Sequence, residues 1–310
     1  MSVGPFVADE VVAARIARSR ASSGDRFAER LGAGLSDGHV VPRGHVERLA
    51  REFDLTGPGD VMLLALPSAE RLASPPISGF VVGAVGLERE SGDLLLGGNV
   101  EVPGADLAAT VHGEGFVFTR AFSRGTSIAV LAIGEARPCG HCRQTITEFA
   151  DWRDLTLIDP LGHALSMADL YPWPFTPEDL GELGIVAGAT PWPSLAIHDE
   201  RVPADVVAAL ENAGRRAHAP YSQCPAAIAL TLSDDAIVTG ATIENAAFDP
   251  TIGPLQAAIV ELLARGRGYA DVASAVLATT ADGDVRPNAG VRSVLAAIAP
   301  SAPLLETTWS

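Results

Sequence analysis

Residues 1 to about 60 read as helical from the spacing of their apolar positions. Val11, Val12, Ile16 and Ala17 form one stripe, predicting a helix over Asp9 to Arg20. A second helix starts at Val41-Pro42-Arg43-Gly44-His45 and runs through Leu49 to Phe53. Gly57-Pro58-Gly59 breaks it, and Asp60 is placed as the cap of a third helix over Val61 to Arg71. His39 and His45 are expected at the surface. The pattern then changes. Val81 to Leu87 and Asp93 to Gly98 are short apolar runs around Glu88-Arg89-Glu90-Ser91-Gly92, which predicts a hairpin. A helix follows with His112 and Glu114 in its first turns, continuing through Phe122. Ser127 to Gly134 reads as a buried strand, a helix runs from Cys139 to Trp152, and Asp154 to Asp159 is another strand. Strands alternating with helices indicate an α/β domain in three layers.

The last third repeats the middle one. Pro220-Tyr221-Ser222 echoes Pro76-Ile77-Ser78, Ala226 to Leu232 and Ala236 to Gly240 echo the hairpin, and Thr242-Ile243-Glu244 echoes Asn99-Val100-Glu101. Counting on by the same spacing, Leu255 falls at the position of His112 and Ala257 at that of Glu114, and no cysteine follows Cys224. The second copy keeps the scaffold and has lost the chemistry of the first. Between the copies, residues 160–200 hold much of the proline and tryptophan, as expected of a linker packed on a surface. The expected division is a helical N-terminal domain over 1–60, a domain carrying the chemistry over 61–185, and a degenerate copy over 186–310.

Composition narrows the partners. The net charge is −16, and all 22 cations are arginine. A chain this acidic, with no local basic patch, repels a polyanion, so nucleic acid is excluded as a partner and a small neutral substrate is expected. Three cysteines leave no disulfide framework and fit a reducing compartment. Phe6 to Val12 is interrupted by Asp9 and Glu10, which argues against a signal peptide, and no apolar run is long enough to span a bilayer. A cytoplasmic location and no membrane contact are expected.

The chemistry lies between Thr110-Val111-His112-Gly113-Glu114 and Pro138-Cys139-Gly140-His141-Cys142-Arg143. Two cysteines separated by two residues can grip one metal ion, and an upstream histidine supplies a third ligand. Three protein ligands leave a zinc position open for water, whose pKa falls toward neutrality on the metal. A C-x-x-C pair alone also suits a redox couple or half of a structural zinc site. A structural site needs a fourth ligand, however, and Cys224 is far along the chain while His141 lies badly between the cysteines. Cysteines in a helix's first turn gain from its positive end. Arg143 either offsets the remaining negative charge or is a solvated cation.

This H-x-E…P-C-x-x-C arrangement is the zinc deaminase signature. With Pro76 to Ala84, Gly98-Asn99-Val100-Glu101 and Cys142-Arg143-Gln144, the chain resembles a cytidine deaminase of the larger, homodimeric kind, from about Pro76 to Pro160 and again from about Ala217 to the end. The resemblance implies a three-layer α/β/α deaminase domain with a duplicated, degenerate second copy and a small N-terminal helical domain. It implies Zn2+ on His112, Cys139 and Cys142, Glu114 as catalytic acid and base, Asn99 and Glu101 on the ribose 3′-hydroxyl, and Phe80 against the pyrimidine ring. The expected reaction is hydrolytic deamination of cytidine and 2′-deoxycytidine in pyrimidine salvage. The match at Glu244-Asn245-Ala246-Ala247-Phe248 implies a homodimer in which Ala246, Ala247 and Phe248 complete the partner's site. One departure is Gly113, where the family has alanine. A pocket larger by a methyl would suit a modified or bulkier cytosine nucleoside, and a catalytically idle zinc-binding scaffold is the reading from another class.

Overall fold

A strand whose residues are apolar without interruption needs cover on both faces. Gly83–Glu88 (β2) and Leu94–Gly98 (β3) form the expected hairpin, and both are almost wholly buried. The computed structural model describes residues 6–134 and 137–310. In chain order the elements before the hairpin are α1 (Glu10–Gly32), β1 (Val40–Val41), α2 (Arg43–Glu52) and α3 (Pro58–Ala69). After it come α4 (Gly113–Arg124), β4 (Ile128–Ile133), α5 (Gly140–Ile146), β5 (Thr156–Ile158), β6 (Ala164–Ser166) and α6 (Met167–Leu170). The last third contains α7 (Ala204–Arg216), β7 (Ala227–Leu232), β8 (Ile237–Ala241), α8 (Pro254–Ala264), β9 (Val272–Thr279), α9 (Asn288–Ile298) and β10 (Leu304–Thr308).

The first sheet has the order β1-β3-β2-β4-β5-β6, with β4 and β5 parallel. Alternation along its strands sorts side chains to two faces. Val85, Leu94, Leu96 and Ala132 pack toward α3 with Ile16, Phe27 and Leu31 of α1. Ala84, Leu95, Leu131 and Ile133 pack toward α4 with Val117 and Phe118. Glycine is required at Gly83 and Gly86: a Cβ at Gly83 would lie 2.8 Å from the Leu66 carbonyl of α3, and one at Gly86 would lie 2.4 Å from Val117 of α4. Helices therefore press close on both sides, giving three layers. The N-terminal helices share the core of the α3 face, and β1 extends the sheet antiparallel to β3.

The second sheet, β10-β9-β7-β8, repeats β5-β4-β2-β3 with the same directions. Its core continues that of the first: Phe118, Ala121 and Phe122 of α4 share a cluster with Leu210 and Ala213 of α7 and Ala241 of β8.

Several local expectations are corrected. Asp60 does not cap α3, because Pro58 starts the helix earlier and Gly57 is its N-cap. The Asp60 carboxylate instead accepts from Thr56 and Arg15. The first helix extends to Gly32, since Phe27 and Leu31 continue its buried stripe. The cysteine helix stops at Ile146 rather than Trp152. Beyond it the backbone turns so that Ala150 N–H can reach the Ile185 carbonyl. His45 is buried between the Arg30 carbonyl and Arg48, and His39 Nδ1 meets the Ala264 carbonyl at 2.6 Å. Neither is a free surface residue.

Candidate active site

A two-residue bridge between Val100 and Val111 delivers the chain to His112, which is the N-cap of α4. Glu114 then falls in the first turn of α4 and is buried at 4% exposure. Strand β4 carries the chain to the other component, where Cys139 is the N-cap of α5 and Cys142 lies in its first turn. The Cys142 N–H points at the Cys139 sulfur, 3.4 Å away. Two helix starts thus converge, as the sequence spacing requires.

His112 Nδ1 lies 3.5 Å from Cys139 Sγ and 3.3 Å from Cys142 Sγ, and the two sulfurs are 3.6 Å apart. With Zn–S near 2.3 Å and Zn–N near 2.0–2.1 Å, tetrahedral ligand atoms stand roughly 3.5–3.8 Å from one another. The three atoms therefore fit one zinc ion, with a fourth position left over. Among the described residues they are the group of potential ligands close enough to hold a metal. Cys224 stands apart, donating to the Ser222 carbonyl, and His141 is exposed beside the site.

The electrostatics suit a dication. Cys139 is pulled down to about 4, first by its hydrogen bond with Cys142, against burial, and then by the Cys142 N–H and the His112 charge. Cys142 is pushed up by that same shared hydrogen bond, by burial and by the negative charge of Glu114 and Cys139. A bound dication would let both sulfurs be thiolates. Burial raises the Glu114 carboxyl above the usual carboxylate value, opposed by its own backbone N–H and by His112.

Asn99 and Glu101 both bond to the segment that carries Phe80. Asn99 Oδ1 accepts from Val82 N–H and its Nδ2 donates to the Phe80 carbonyl. Glu101 accepts from the Ile77 and Ser78 N–H groups and from the Ser78 hydroxyl. Both side chains are buried, and together they pin segment 77–82. These bonds leave the Asn99 amide an N–H and an oxygen lone pair, and the Glu101 carboxylate one lone pair. Phe80, at the centre of the pinned segment, is 64% exposed, with Ile77 and Val81 also open. It is not a core residue.

The second copy reproduces this clasp. Glu244 accepts from the Tyr221 and Ser222 N–H groups and from the Ser222 hydroxyl. Gln223, like Gly79, takes a positive φ, and Cys224 stands where Phe80 does. The clasp therefore holds where no metal ligands remain, so its hydrogen bonds are architectural. The bridge Ile243–Ile252 matches Val100–Val111, but its loop is two residues shorter. Counting by constant spacing consequently misplaces the counterparts. The α8 N-cap Gly253 corresponds to His112, and Leu255 corresponds to Glu114 rather than to His112. Neither can ligate a metal or move a proton.

Ala246 is buried and Phe248 is 65% exposed, at φ +64°. The segment docks on its own chain's cysteine helix: Asn245 Nδ2 donates to the Gln144 carbonyl, and Ala246 N–H to Glu148 Oε2. Glu148 was not singled out by motif. The signal available was its i, i+4 spacing from Gln144, which puts both on one side of the segment after Cys142. Arg143 is not a freely solvated cation: it donates to the Pro138 and Leu170 carbonyls and braces the cysteine turn. A Cβ at Gly113 would meet Ala84 Cβ at 3.3 Å and Val82 Cγ1 at 3.5 Å, so an added methyl there would lie against the start of β2.

A three-layer α/β domain with His, Cys and Cys gathered at two helix starts beside a buried carboxylate defines a zinc-dependent deaminase site. Residues 58–156 match the family model described as the cytidine and deoxycytidylate deaminase zinc-binding region, and residues 167–292 match a second model of the same description. A cytidine deaminase of Shewanella oneidensis is 34% identical over 267 residues, covering 84% of this chain and 86% of that one. A cytidine deaminase of Vibrio atlanticus is 33% identical over 261 residues, covering 83% and 86%. The crystal structure of cytidine deaminase from Mycobacterium tuberculosis aligns with 27% identity and a TM-score of 0.34, over 38% of this chain and 96% of that one. The chain belongs to the cytidine deaminase family.

Proposed function

We propose that this chain deaminates cytidine and 2′-deoxycytidine to the uridine products by hydrolysis. The observation that carries this reading is the tetrahedral spacing of His112 Nδ1, Cys139 Sγ and Cys142 Sγ beside the buried Glu114. When bound there, zinc supplies water acidified to near neutrality. Glu114 moves the protons: it takes one from the water adding at C4, delivers it to N3, and assists the departing ammonia. Its raised pKa suits both halves of that cycle. Asn99 and Glu101 hold the sugar through their unused positions, and Phe80 lies on the base, so that attack becomes effectively intramolecular. Residues 61–185 act as the catalytic unit, 186–310 as the degenerate copy and 1–60 as a helical N-terminal unit.

The reading extends to a cytoplasmic homodimer serving pyrimidine salvage. Its support is the exposed apolar group Ile77, Phe80 and Val81, together with the exposed Phe248, which a partner would cover. A twofold arrangement places Ala246, Ala247 and Phe248 over the partner's Phe80 and zinc ligands. The test is ammonia release from cytidine, 2′-deoxycytidine, free cytosine and a single-stranded oligonucleotide at two salt concentrations. Turnover of the two nucleosides with little salt dependence is expected. Faster, salt-sensitive turnover of the oligonucleotide would overturn the assignment.

A further inference from the structure

Glu148 has no part in the chemistry above, yet it is a carboxylate with 1% exposure that accepts from three groups of the degenerate half. His218 Nε2 and the Tyr221 hydroxyl both lie 2.6 Å from Oε1, and Ala246 N–H lies 2.7 Å from Oε2. A carboxylate only accepts, so all three partners donate. One turn earlier, Gln144 exchanges hydrogen bonds with Asn245, and the Tyr171 hydroxyl fixes its other end at 2.9 Å. Gln144 follows Cys142 by two residues, and Ala246 precedes Phe248 by two. The Phe248 N–H is in turn closed onto the Asn245 carbonyl. A short, buried and fully hydrogen-bonded path therefore runs from the cysteine helix to the exposed ring of Phe248.

We propose that Glu148 is a positioning residue for the deamination, clamping the 244–248 segment to the cysteine helix of its own chain so that Phe248 is presented to the partner's substrate. This rests on the shared-site reading above. A glutamine at 148 keeps the volume, but one end of its amide donates. With its oxygen toward the Ala246 N–H, its NH2 group faces His218 and Tyr221, which must both turn from donating to accepting, and all three ties lose their charged acceptor and weaken. The segment is then held less firmly while Glu114 and the metal ligands are untouched. Such loosening weakens a contact made with the bound substrate, which raises KM more than it lowers kcat.

The experiment measures kcat, KM and zinc content for Glu148→Gln, and for the milder Tyr221→Phe in case the first does not fold. The expected result is a rise in KM for cytidine of about fivefold or more, kcat within about threefold, and unchanged zinc, with Tyr221→Phe smaller in the same direction. The Glu148→Gln chain is then paired with Glu114→Gln through two different tags. In that mixed dimer the live pocket belongs to the Glu148→Gln chain but receives its loop from a chain with Glu148 intact, so KM should return to the wild-type value. An unchanged KM in the Glu148→Gln homodimer overturns the positioning role and leaves the shared site standing. Loss of zinc with kcat falling and KM constant also overturns it, reducing Glu148 to a structural support. A raised KM in the mixed dimer as well overturns the shared-site reading, and this route with it.

Discussion

Arg120 and Glu261 form a buried ion pair in which each residue is the other's structural counterpart. Arg120 stands eight residues past the N-cap His112 of α4, and Glu261 eight past the N-cap Gly253 of α8. If the halves were identical, like charges would meet there in a dry interface. Divergence of the copies lets them be opposite.

The pair should therefore be intolerant of one change and tolerant of two. Arg120→Glu or Glu261→Arg places like charges in the interface, and losing a buried pair in this way costs about 3–5 kcal/mol. The combined exchange should recover part of that loss, though not the bond from Arg120 to the Gly38 carbonyl, which is 2.9 Å long. Replacing both with Met and Leu should be close to neutral. Denaturant midpoints of the four variants check this, and additivity of the two single changes would refute the coupling.

Purified protein should hold about one zinc per chain, because one ligand set is complete and Gly253 has replaced the other histidine. Cys142→Ser should reduce both zinc content and activity, by metal analysis and ammonia release. Two zinc ions per chain would contradict the reading of the second copy.

Glu114→Gln should retain the fold and the metal while losing proton transfer, a decrease of roughly 10²–10⁴-fold in turnover. Near-normal turnover would move the acid–base role elsewhere. Asn99→Ala should harm use of the nucleoside more than any reaction with free cytosine, because the base alone makes no sugar contact. Equal effects on both substrates would argue that Asn99 acts only by holding Val82 and Phe80.

The sequence makes the metal site legible because its ligands sit beside helix starts, where spacing in the chain translates directly into spacing in space. The same holds for β2 and β3, whose uninterrupted apolar runs leave one arrangement. Counting failed at Leu255 because a loop shorter by two residues shifts every later counterpart. The end of α5 failed because the turn after Ile146 is set by Ile185, which no local pattern near Trp152 reveals. Arg120–Glu261 and Glu148–His218 were beyond reach for the same reason. Each pair is decided by how the two copies dock.

Stability at low pH should depend on Glu88. Burial would raise its pKa, but Arg124, Ser91 and Thr126 donate to it and hold it below the ordinary glutamate value of 4.5. A folded value below the unfolded one means its contribution is complete above about 4.5 and is lost as pH falls through the lowered value. Glu88→Gln should cost about 1.5–3 kcal/mol at pH 7, since a hydrogen bond to a charged group is lost. The gap from wild type should narrow as pH drops below 4.5, by urea titration; a gap independent of pH would rule out the carboxylate as its source.

The exposed ring of Phe248 offers the sharpest test of how the two halves cooperate. Asn245 and Ala246 are tied to the chain's own cysteine helix, whereas Phe248 packs on Tyr221 at 6.0 Å between ring centroids and otherwise faces outward. In the proposed dimer, a ring so placed would serve the partner's site. Two inactive variants, Glu114→Ala and Phe248→Arg, are allowed to exchange subunits. If the loop acts in trans, a mixed dimer has one pocket with both defects and one with neither. Random pairing makes about half the dimers mixed, so roughly a quarter of wild-type activity should return. If the loop serves only its own chain, every pocket carries a defect and nothing returns. Tagging one variant and capturing the other establishes that mixed dimers formed, and activity at the level of the separate variants in that captured material would rule out the shared site.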